Sequence, residues 1–423
     1  MVSFLRQFIV PGLFCIIISS CSSDGPENSV YDDPTKSLKV VSSRFTPVET
    51  AANNALNAFT FKFLAAISEN YSSDLVQSNH NGNFIVSPVS AAISLIMAGN
   101  FDDAAFSNSL VSTLELDDFD AVNSLCGKLI PALQNSNNGA YLRMANSMWY
   151  ANHLTPQQDR CNILAETYDA QVLPADFAHN LDAVKRGINN WVSSATDGLI
   201  RELTLNPDVS TQAFFINAIY FRGAWKTAFD VNLTTDCIFN GTEGPTTVRM
   251  MNGIIEAMAG EYEGYTIAEV PYSGDDINLC IILPPEGTPI NQATARAFDP
   301  NFNLTLRDHM MYNYLTLAMP KVDLSSSLRT DCLFAPLGIS AAGTFSYLQD
   351  ESSDILCVNA AQDVALQWDE RATKVAVASS TNIPLSSFLP SYEMTMTVDR
   401  PFLFMIVSKS AGTCLLAGRI CNL

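Results

Sequence analysis

The sequence lacks the short motifs that identify most enzymes, and it has few of the residues that bind metals. No G-x-S-x-G, G-x-x-x-x-G-K-[ST], G-x-G-x-x-G or H-E-x-x-H segment occurs in it. Its four histidines are scattered, and none of its ten cysteines stands in a C-x-x-C pair, which argues against a zinc site. The sequence therefore predicts no metal, no cofactor and no catalytic residue. An enzyme with an unrecognised site is the alternative with the least support.

Basic residues are also scarce. The 423 residues contain 23 Lys and Arg against 43 Asp and Glu, a net charge of −20. Nucleic acids, heparin-like polyanions and anionic lipid surfaces need clustered positive charge, so none of them is expected as a main partner. A hydrophobic fraction of 48% and a charged fraction of 16% are typical of a packed globular protein with an acidic surface.

The amino terminus has the pattern of an export signal. Residues 1–20 carry one early Arg and then an apolar run that is too short for a stable membrane span. The run ends in "ISSC", which resembles a bacterial lipobox and implies cleavage before Cys21 and acylation of that residue. Residues 21–48 then read as a flexible tether. We expect an exported, lipid-anchored protein of the bacterial cell envelope, on the outer membrane or cell surface; the alternative is an ordinary secretory signal that contains Cys21.

From residue 49 to residue 423 the pattern is mixed helix and strand, without repeats or a Pro/Gly-rich break. Helices prevail early and long apolar strands late, so we predict one α+β domain with large, mostly antiparallel sheets. Ser87 is expected to cap a helix that has Pro88 at its first position. The segment "YLTLAMPKVDL" is read as one strand. Cys280 and Cys414 lie in apolar strand segments and are expected to be buried free thiols, whereas the pairing of the other cysteines stays open.

Several segments, in this order along the chain, resemble those of the serpin family. "NFIVSPVSAAISLIMAGN" is similar to the segment where the main serpin sheet opens. "FINAIYFRGAWKTAFD" resembles the serpin pattern N-A-x-Y-F-[KR]-G-x-W-x-x-x-F, and "MTVDRPFLFMI" resembles the carboxy-terminal serpin signature. "VPYSGDDINLCIILPPEG" and "LTLAMPKVDL" add to the resemblance, which covers residues 49–423.

The resemblance implies the serpin fold: a large, mostly antiparallel main sheet, smaller sheets, about eight or nine helices and an exposed reactive loop at about 370–391. It places a group of residues at the shutter and breach that control opening of the main sheet: Ser87, Pro88, Ser90, Asn217, Trp225 and Gln362. Gln362 stands where many members have His. Asp399, Arg400 and Pro401 would be structural.

The segment "DERATKVAVASSTNIPLSSFLPSYE" occupies the position of the reactive loop. In the family this loop is cut by a protease and then inserts into the main sheet as an extra strand. The residues suit that change, because small and β-branched side chains alternate and Lys374 lies on the face opposite the two valines. The hinge comprises Glu370, Arg371, Ala372, Thr373, Val375, Ala376, Val377 and Ala378. Ala372 replaces a family Gly and Val375 replaces a family Ala, which would slow insertion.

The cleaved bond has two candidates. "IPLS" resembles family baits cut between Leu385 and Ser386, whereas the commonest loop spacing places the cut between Ser386 and Ser387. Leu before the cut implies a chymotrypsin-like or subtilisin-like serine protease, and Ser an elastase-like one. The resemblance thus implies a monomeric inhibitor that traps a serine protease, or a papain-like cysteine protease, as a covalent acyl-enzyme. The alternatives are a non-inhibitory serpin-fold binding protein and a plain protease substrate.

Overall fold

The computed structural model describes most of the chain after residue 46. The described residues are 47–72, 74–102, 105–116, 118–134, 140–203, 207–274, 276–340, 342–343, 345–348, 356–357, 362–371 and 393–423. The predicted signal segment, Cys21, the tether up to residue 46, and the part of the reactive loop from Ala372 to residue 392 lie outside them. The predictions for the cleaved bond and for the hinge beyond Arg371 therefore stay predictions.

Helices surround the sheets, and the described residues contain nine α-helices. Their bounds are α1 Pro47–Glu69, α2 Pro88–Gly99, α3 Ala105–Thr113, α4 Phe119–Gln134, α5 Gln158–Tyr168, α6 Leu181–Ala195, α7 Ile290–Ala297, α8 Pro300–Asp308 and α9 Phe334–Leu337.

Strands fill the rest of the core. Their bounds are β1 Val76–Ser78, β2 Phe84–Val86, β3 Ala140–Ala151, β4 Ala170–Ala175, β5 Ala213–Gly223, β6 Thr235–Gly241, β7 Gly244–Tyr262, β8 Tyr265–Pro271, β9 Ile277–Leu283, β10 Met311–Pro320, β11 Val322–Leu328, β12 Ala342–Gly343, β13 Leu356–Cys357, β14 Gln362–Trp368, β15 Glu393–Thr397, β16 Phe402–Ser408 and β17 Thr413–Ile420. The α+β prediction is confirmed.

The largest sheet has the order β15-β10-β7-β8-β9-β16-β17-β2, with β6 also paired to β7. All its pairs are antiparallel except β10 with β15. Its centre is apolar on both faces, since every residue of β9, β16 and β17 is buried. Cys280 and Cys414 lie there as buried free thiols, as the sequence predicts. Burial raises the pKa of Cys280 to about 12, so its thiol is not a nucleophile at neutral pH.

Two smaller sheets have β5 and β14 as edge strands. The β5 sheet has the order β4-β3-β5, and the β14 sheet has the order β1-β11-β14. The prediction of a single strand over "YLTLAMPKVDL" is wrong at Pro320, because β10 ends there and pairs with β7 while β11 pairs with β14. Proline has no N–H to continue a ladder, and Lys321 N instead donates to Arg249 O at 2.9 Å. The chain thus passes from one sheet to another at this point.

Helix α2 starts where the sequence predicts. Ser87 is its N-cap, with the Ser87 side chain accepting a hydrogen bond from Ser90 N, and Pro88 occupies the first helical turn. All but one of its twelve residues are buried. This apolar helix lies against β5 and β17 and so positions its polar first turn inside the protein.

Candidate functional site

Strands β5 and β14 form the facing edges of their two sheets. No β-ladder joins β5 to β14 in the described part of the chain, and a cavity lined by Phe214–Ala218 and by Gln362 and Asp363 lies between them. We call this space the gap. Unpaired strand edges inside a protein are unfavourable unless another strand can occupy them. The gap is therefore the feature of the fold that needs a functional explanation.

Helix α6 lies over the gap. Its residues Ile188 and Val192 form an apolar cluster with Ile216 of β5, and Ala365 of β14 packs against the same cluster. This cluster, which also includes Ile200 and Leu203 from the segment after α6, thus contacts both edges without filling the space between their backbones. A strand that entered the gap would lie beneath α6 and would be shielded from water there.

The first turn of α2 holds β14. Gln362 accepts a hydrogen bond from Ser87 N at 2.6 Å and donates one to Ser87 O at 2.8 Å. The Ser87 hydroxyl donates to Leu415 O at 2.6 Å. Both Ser87 and Gln362 are buried. A glutamine can make this paired contact because its side-chain amide carries both a donor and an acceptor.

The same turn also holds β5. The Ser90 hydroxyl donates to the side-chain oxygen of Asn217. The Asn217 amide donates to Asn146 Oδ1 on β3 at 2.5 Å, and the Asn146 amide donates to Tyr168 O at 2.6 Å. The structure therefore brings together four of the predicted shutter residues, namely Ser87, Ser90, Asn217 and Gln362. Asn146 and Tyr168 extend the network but were not predicted.

We expect Gln362→Ala to lower the free energy of unfolding by about 1–3 kcal/mol, because it leaves the buried N–H of Ser87 without a partner. Ser87 O loses the bond from Gln362 but keeps the one from Ala91 N. The measurement is denaturant unfolding at neutral pH. Gln367→Ala is the matched control on the same strand, since the side-chain amide of Gln367 donates to Asp323 in an exposed pair, and its effect should be about 0.5 kcal/mol or less. Equal losses in the two variants would contradict the role given to Gln362.

The other end of the gap is tied at Trp225. The indole N–H of Trp225 donates to Asp369 O at 2.7 Å, and the backbone N–H of Phe229 donates to Glu370 O at 2.9 Å. Trp225 is also a core residue, 3% exposed and stacked on Tyr272 at 4.6 Å. The segment that leads from β14 to residue 372 is thus anchored beside the gap.

Glu370 anchors this segment by its side chain as well. Its carboxylate accepts hydrogen bonds from Lys321 Nζ and Thr234 Oγ1, both at 2.7 Å, and Glu370 is only 4% exposed. Burial raises the pKa of Glu370, but the hydrogen bonds from Lys321 and Thr234 outweigh it and leave the pKa below the ordinary value. The carboxylate is therefore charged at neutral pH.

Lys321 and Thr234 were not predicted. Lys321 is one lysine in the turn between β10 and β11, and Thr234 follows a short 3₁₀ turn at Val231–Leu233. The sequence around Lys321 gives no signal for an ion pair with a residue 49 positions further on, and that around Thr234 gives none for a hydrogen bond with a residue 136 positions further on. Only the fold brings them to Glu370.

No group of three or more His, Cys, Asp or Glu in the described ranges could hold a metal ion. Among the same residues, no helix is long and apolar enough to cross a bilayer. The predicted structural residue Arg400 donates from Nε and Nη2 to Pro284 O at 3.2 and 3.0 Å, which fixes the chain after β15.

The β5 sheet and the β14 sheet thus face each other across the gap, and the segment after β14 is anchored at one end of that gap. Comparison with known proteins agrees, because the family model described as "Serpin (serine protease inhibitor)" matches residues 54–423. The chain belongs to the serpin family, and its fold is the serpin fold, as the motif resemblance implied.

Relatives span the whole domain at low identity. An uncharacterized serpin-like protein of Thermococcus kodakarensis is 24% identical over 407 residues, covering 95% of this chain and 92% of the relative. The leukocyte elastase inhibitor of Homo sapiens is 24% identical over 388 residues, covering 87% and 98%.

Solved structures share the fold. The native state of the thermophilic serpin Tengpin has a TM-score of 0.76 and 22% identity, covering 92% of this chain and 99% of that one. Thyroxine-binding globulin in complex with thyroxine has a TM-score of 0.74 and 22% identity, covering 86% and 97%.

Proposed function

We propose that this serpin inhibits serine proteases by acting as a suicide substrate. The observation that carries the proposal is the gap between β5 and β14, with the chain leaving β14 through the anchored residues Asp369–Arg371 at one end of it. A strand formed by the residues after Arg371 would enter the gap at that end and pair with both edges. Family membership and the similarity to an elastase inhibitor support the same function.

The chemistry needs no catalytic group from the serpin. The hydroxyl of the protease serine attacks the carbonyl carbon of the residue before the cut, and its proton passes to the protease base. The peptide bond to the next residue breaks, and the leaving amine takes up that proton. An ester then joins the protease to the serpin. We place the cut between Leu385 and Ser386, with Ser386–Ser387 as the second candidate.

Insertion of the cleaved loop would then trap the ester. Residues from Thr373 to about Ile383 would occupy the gap and carry the attached protease away from its docking position. Distortion of the protease active site during this movement would stop hydrolysis of the ester. The loop can enter only after β5 and β14 separate at the Trp225 end of the gap. The contacts of Trp225 and Glu370 would therefore have to break first, and the α2 contacts would control the separation of the two strands.

The second candidate function is that of a plain substrate or a non-inhibitory binding protein. Ala372 and Val375 favour it, since both departures from the family pattern would slow insertion relative to hydrolysis of the ester. Thyroxine-binding globulin is a serpin-fold structure solved with a small ligand. For either function we propose a monomer that is exported and lipid-anchored through Cys21, which the lipobox-like "ISSC" supports.

The test is to mix the mature protein with a chymotrypsin-like protease and to separate the products on a denaturing gel. We expect an SDS-stable one-to-one complex and, by mass spectrometry, a released peptide that starts at Ser386 or Ser387. Val375→Asp should be cut at the same bond without forming the complex, because it would place a charge on the face that becomes buried. Lys374→Asp is the matched control on the other face and should still form the complex. Cleavage of the unmodified protein without any complex would make it a substrate.

A further inference from the structure

A second cavity lies beside the gap, on the outer face of the β14 sheet. Its volume is about 370 Å³, which is within the range of about 300–1,000 Å³ that is usual for small-molecule sites. It is lined by residues 77–79 at β1, 199–202 after α6, 325–327 in β11 and 363–365 in β14. We call it the β11 pocket. It shares Ile200 and Asp363 with the lining of the gap, so the two spaces are neighbours.

The floor of the β11 pocket is a row of polar side chains. Gln77 of β1 stands opposite Ser327 of β11, which stands opposite Asp363 of β14. Residues at one register position share a face of the sheet, and neighbouring strands are about 4.8 Å apart. The row therefore presents an amide, a hydroxyl and a carboxylate at regular intervals, and together these groups donate and accept hydrogen bonds. Ser325 lies two residues from Ser327 on the same face and adds a second hydroxyl.

The segment after α6 closes the β11 pocket from the other side. It contributes the apolar side chains of Leu199 and Ile200, and the exposed charges of Arg201 and Glu202. Neither Arg201 nor Glu202 forms an ion pair with another described residue. An anion would meet the carboxylates of Glu202 and Asp363, and a cation would meet the guanidinium of Arg201. The charges of the lining therefore favour a neutral ligand.

We propose that the β11 pocket binds a neutral sugar, either a monosaccharide or a disaccharide. A sugar ring has apolar C–H faces and hydroxyl groups around its edge. The apolar side chains of Leu199 and Ile200 suit the ring face, and the polar row of the floor suits the hydroxyl groups, which both donate and accept hydrogen bonds. No residue of this pocket belongs to the predicted hinge or to the shutter.

The two walls of the β11 pocket lie on opposite sides of the gap. The segment after α6 packs on Ile216 of β5 through Ile200 and Leu203, whereas the floor belongs to the β14 sheet. A strand that entered the gap would move β5 and β14 apart by about one strand spacing, about 4.8 Å. A sugar that contacts both walls would therefore bind the form without an inserted strand more tightly and would slow insertion. This consequence rests on the proposed function, whereas the binding of the sugar does not.

The first experiment is saturation-transfer NMR on the whole protein. The probes are glucose, galactose, N-acetylglucosamine, maltose and lactose at low millimolar concentration, with glucuronate and glucosamine as charged counterparts. We expect at least one neutral sugar to receive saturation from the protein and to bind at least about fivefold more tightly than the charged sugars. A signal from no sugar, or from a charged sugar alone, would overturn the proposal.

Three variants locate the binding. Ser325→Phe fills the β11 pocket and should lower the affinity at least about tenfold. Thr247→Phe is the matched control, because it places the same side chain at an exposed strand position outside the pocket, and it should leave the affinity unchanged. Gln77→Ala removes one hydrogen-bonding group without adding bulk and should weaken binding about two- to tenfold. Equal affinities in Ser325→Phe and Thr247→Phe would overturn the site.

The second experiment measures the ratio of trapped complex to cleaved product after mixing with a protease, with and without the bound sugar. Because slower insertion leaves more time for hydrolysis of the ester, a saturating sugar should lower this ratio at least about threefold in the unmodified protein. The ratio should not change in Ser325→Phe. Sugar binding without a change in the ratio would refute the effect on insertion. An absence of complex with or without sugar would refute inhibition, while the NMR result still reports the binding site.

Discussion

Cleavage of the reactive loop at either candidate bond is expected to raise the melting temperature of the protein by about 10 °C or more. An inserted central strand of about ten residues forms about twenty ladder hydrogen bonds, worth about 1 kcal/mol each. Burying Val375 and Val377 adds about 2 kcal/mol each, and ordering the strand costs about 1.5 kcal/mol per residue. The net gain of roughly 10 kcal/mol corresponds to about 10 °C for a chain of this length.

The measurement is differential scanning calorimetry of the intact and the cleaved protein at the same concentration. Val375→Asp, cleaved at the same bond, is the control, because its loop cannot insert without burying a charge. It should gain little or nothing on cleavage. If the cleaved unmodified protein melts at the same temperature as the intact one, the loop does not enter the gap and the inhibitory mechanism is refuted.

Replacing Glu370 by Lys is expected to release the hinge. The change removes the acceptor for Lys321 and Thr234 and brings two ammonium groups together, which destabilises the native state by about 2–4 kcal/mol, since Lys321 is partly exposed. The segment after Arg371 is then free to enter the gap without cleavage. Inhibitory activity should decay at least about tenfold faster on warming, as measured by residual complex formation after incubation.

Glu370→Gln removes the negative charge of Glu370 but keeps an oxygen that can accept hydrogen bonds. Comparing this variant with the unmodified protein at several pH values therefore tests the contribution of the charge. The folded-state pKa of Glu370 lies below its ordinary value of 4.5. The ionised carboxylate therefore stabilises the protein above that value, and this contribution is lost as the pH falls through the lowered pKa. The melting temperature of the unmodified protein should exceed that of Glu370→Gln by a constant amount above about pH 5 and approach it in more acidic solution. A difference that grows as the pH falls would contradict the assignment.

Local sequence accounted for much of this structure. The cap at Ser87, the proline at position 88 and the apolar run after it predicted α2, because capping and helix initiation act within one turn. Continuous runs of apolar residues predicted the buried strands of the large sheet, such as β9 and β16, in which every residue is buried. The ordered motifs predicted the shutter residues, of which Ser87, Ser90, Asn217 and Gln362 lie together in the structure, whereas the hinge beyond Arg371 stays a prediction.

The sequence by itself determined the class of fold, the start of α2 and the apolar strands of the large sheet, whereas the position of the reactive loop stays a prediction. Only the tertiary structure decided which strands became the edges of the gap, that the chain changes sheets at Pro320, and that Lys321 and Thr234 hold Glu370. Ser87 and Gln362 are 275 residues apart, and Ile254 meets Thr316 only through sheet register. Local preferences extend over a few residues, whereas these contacts depend on how the whole chain packs around its core.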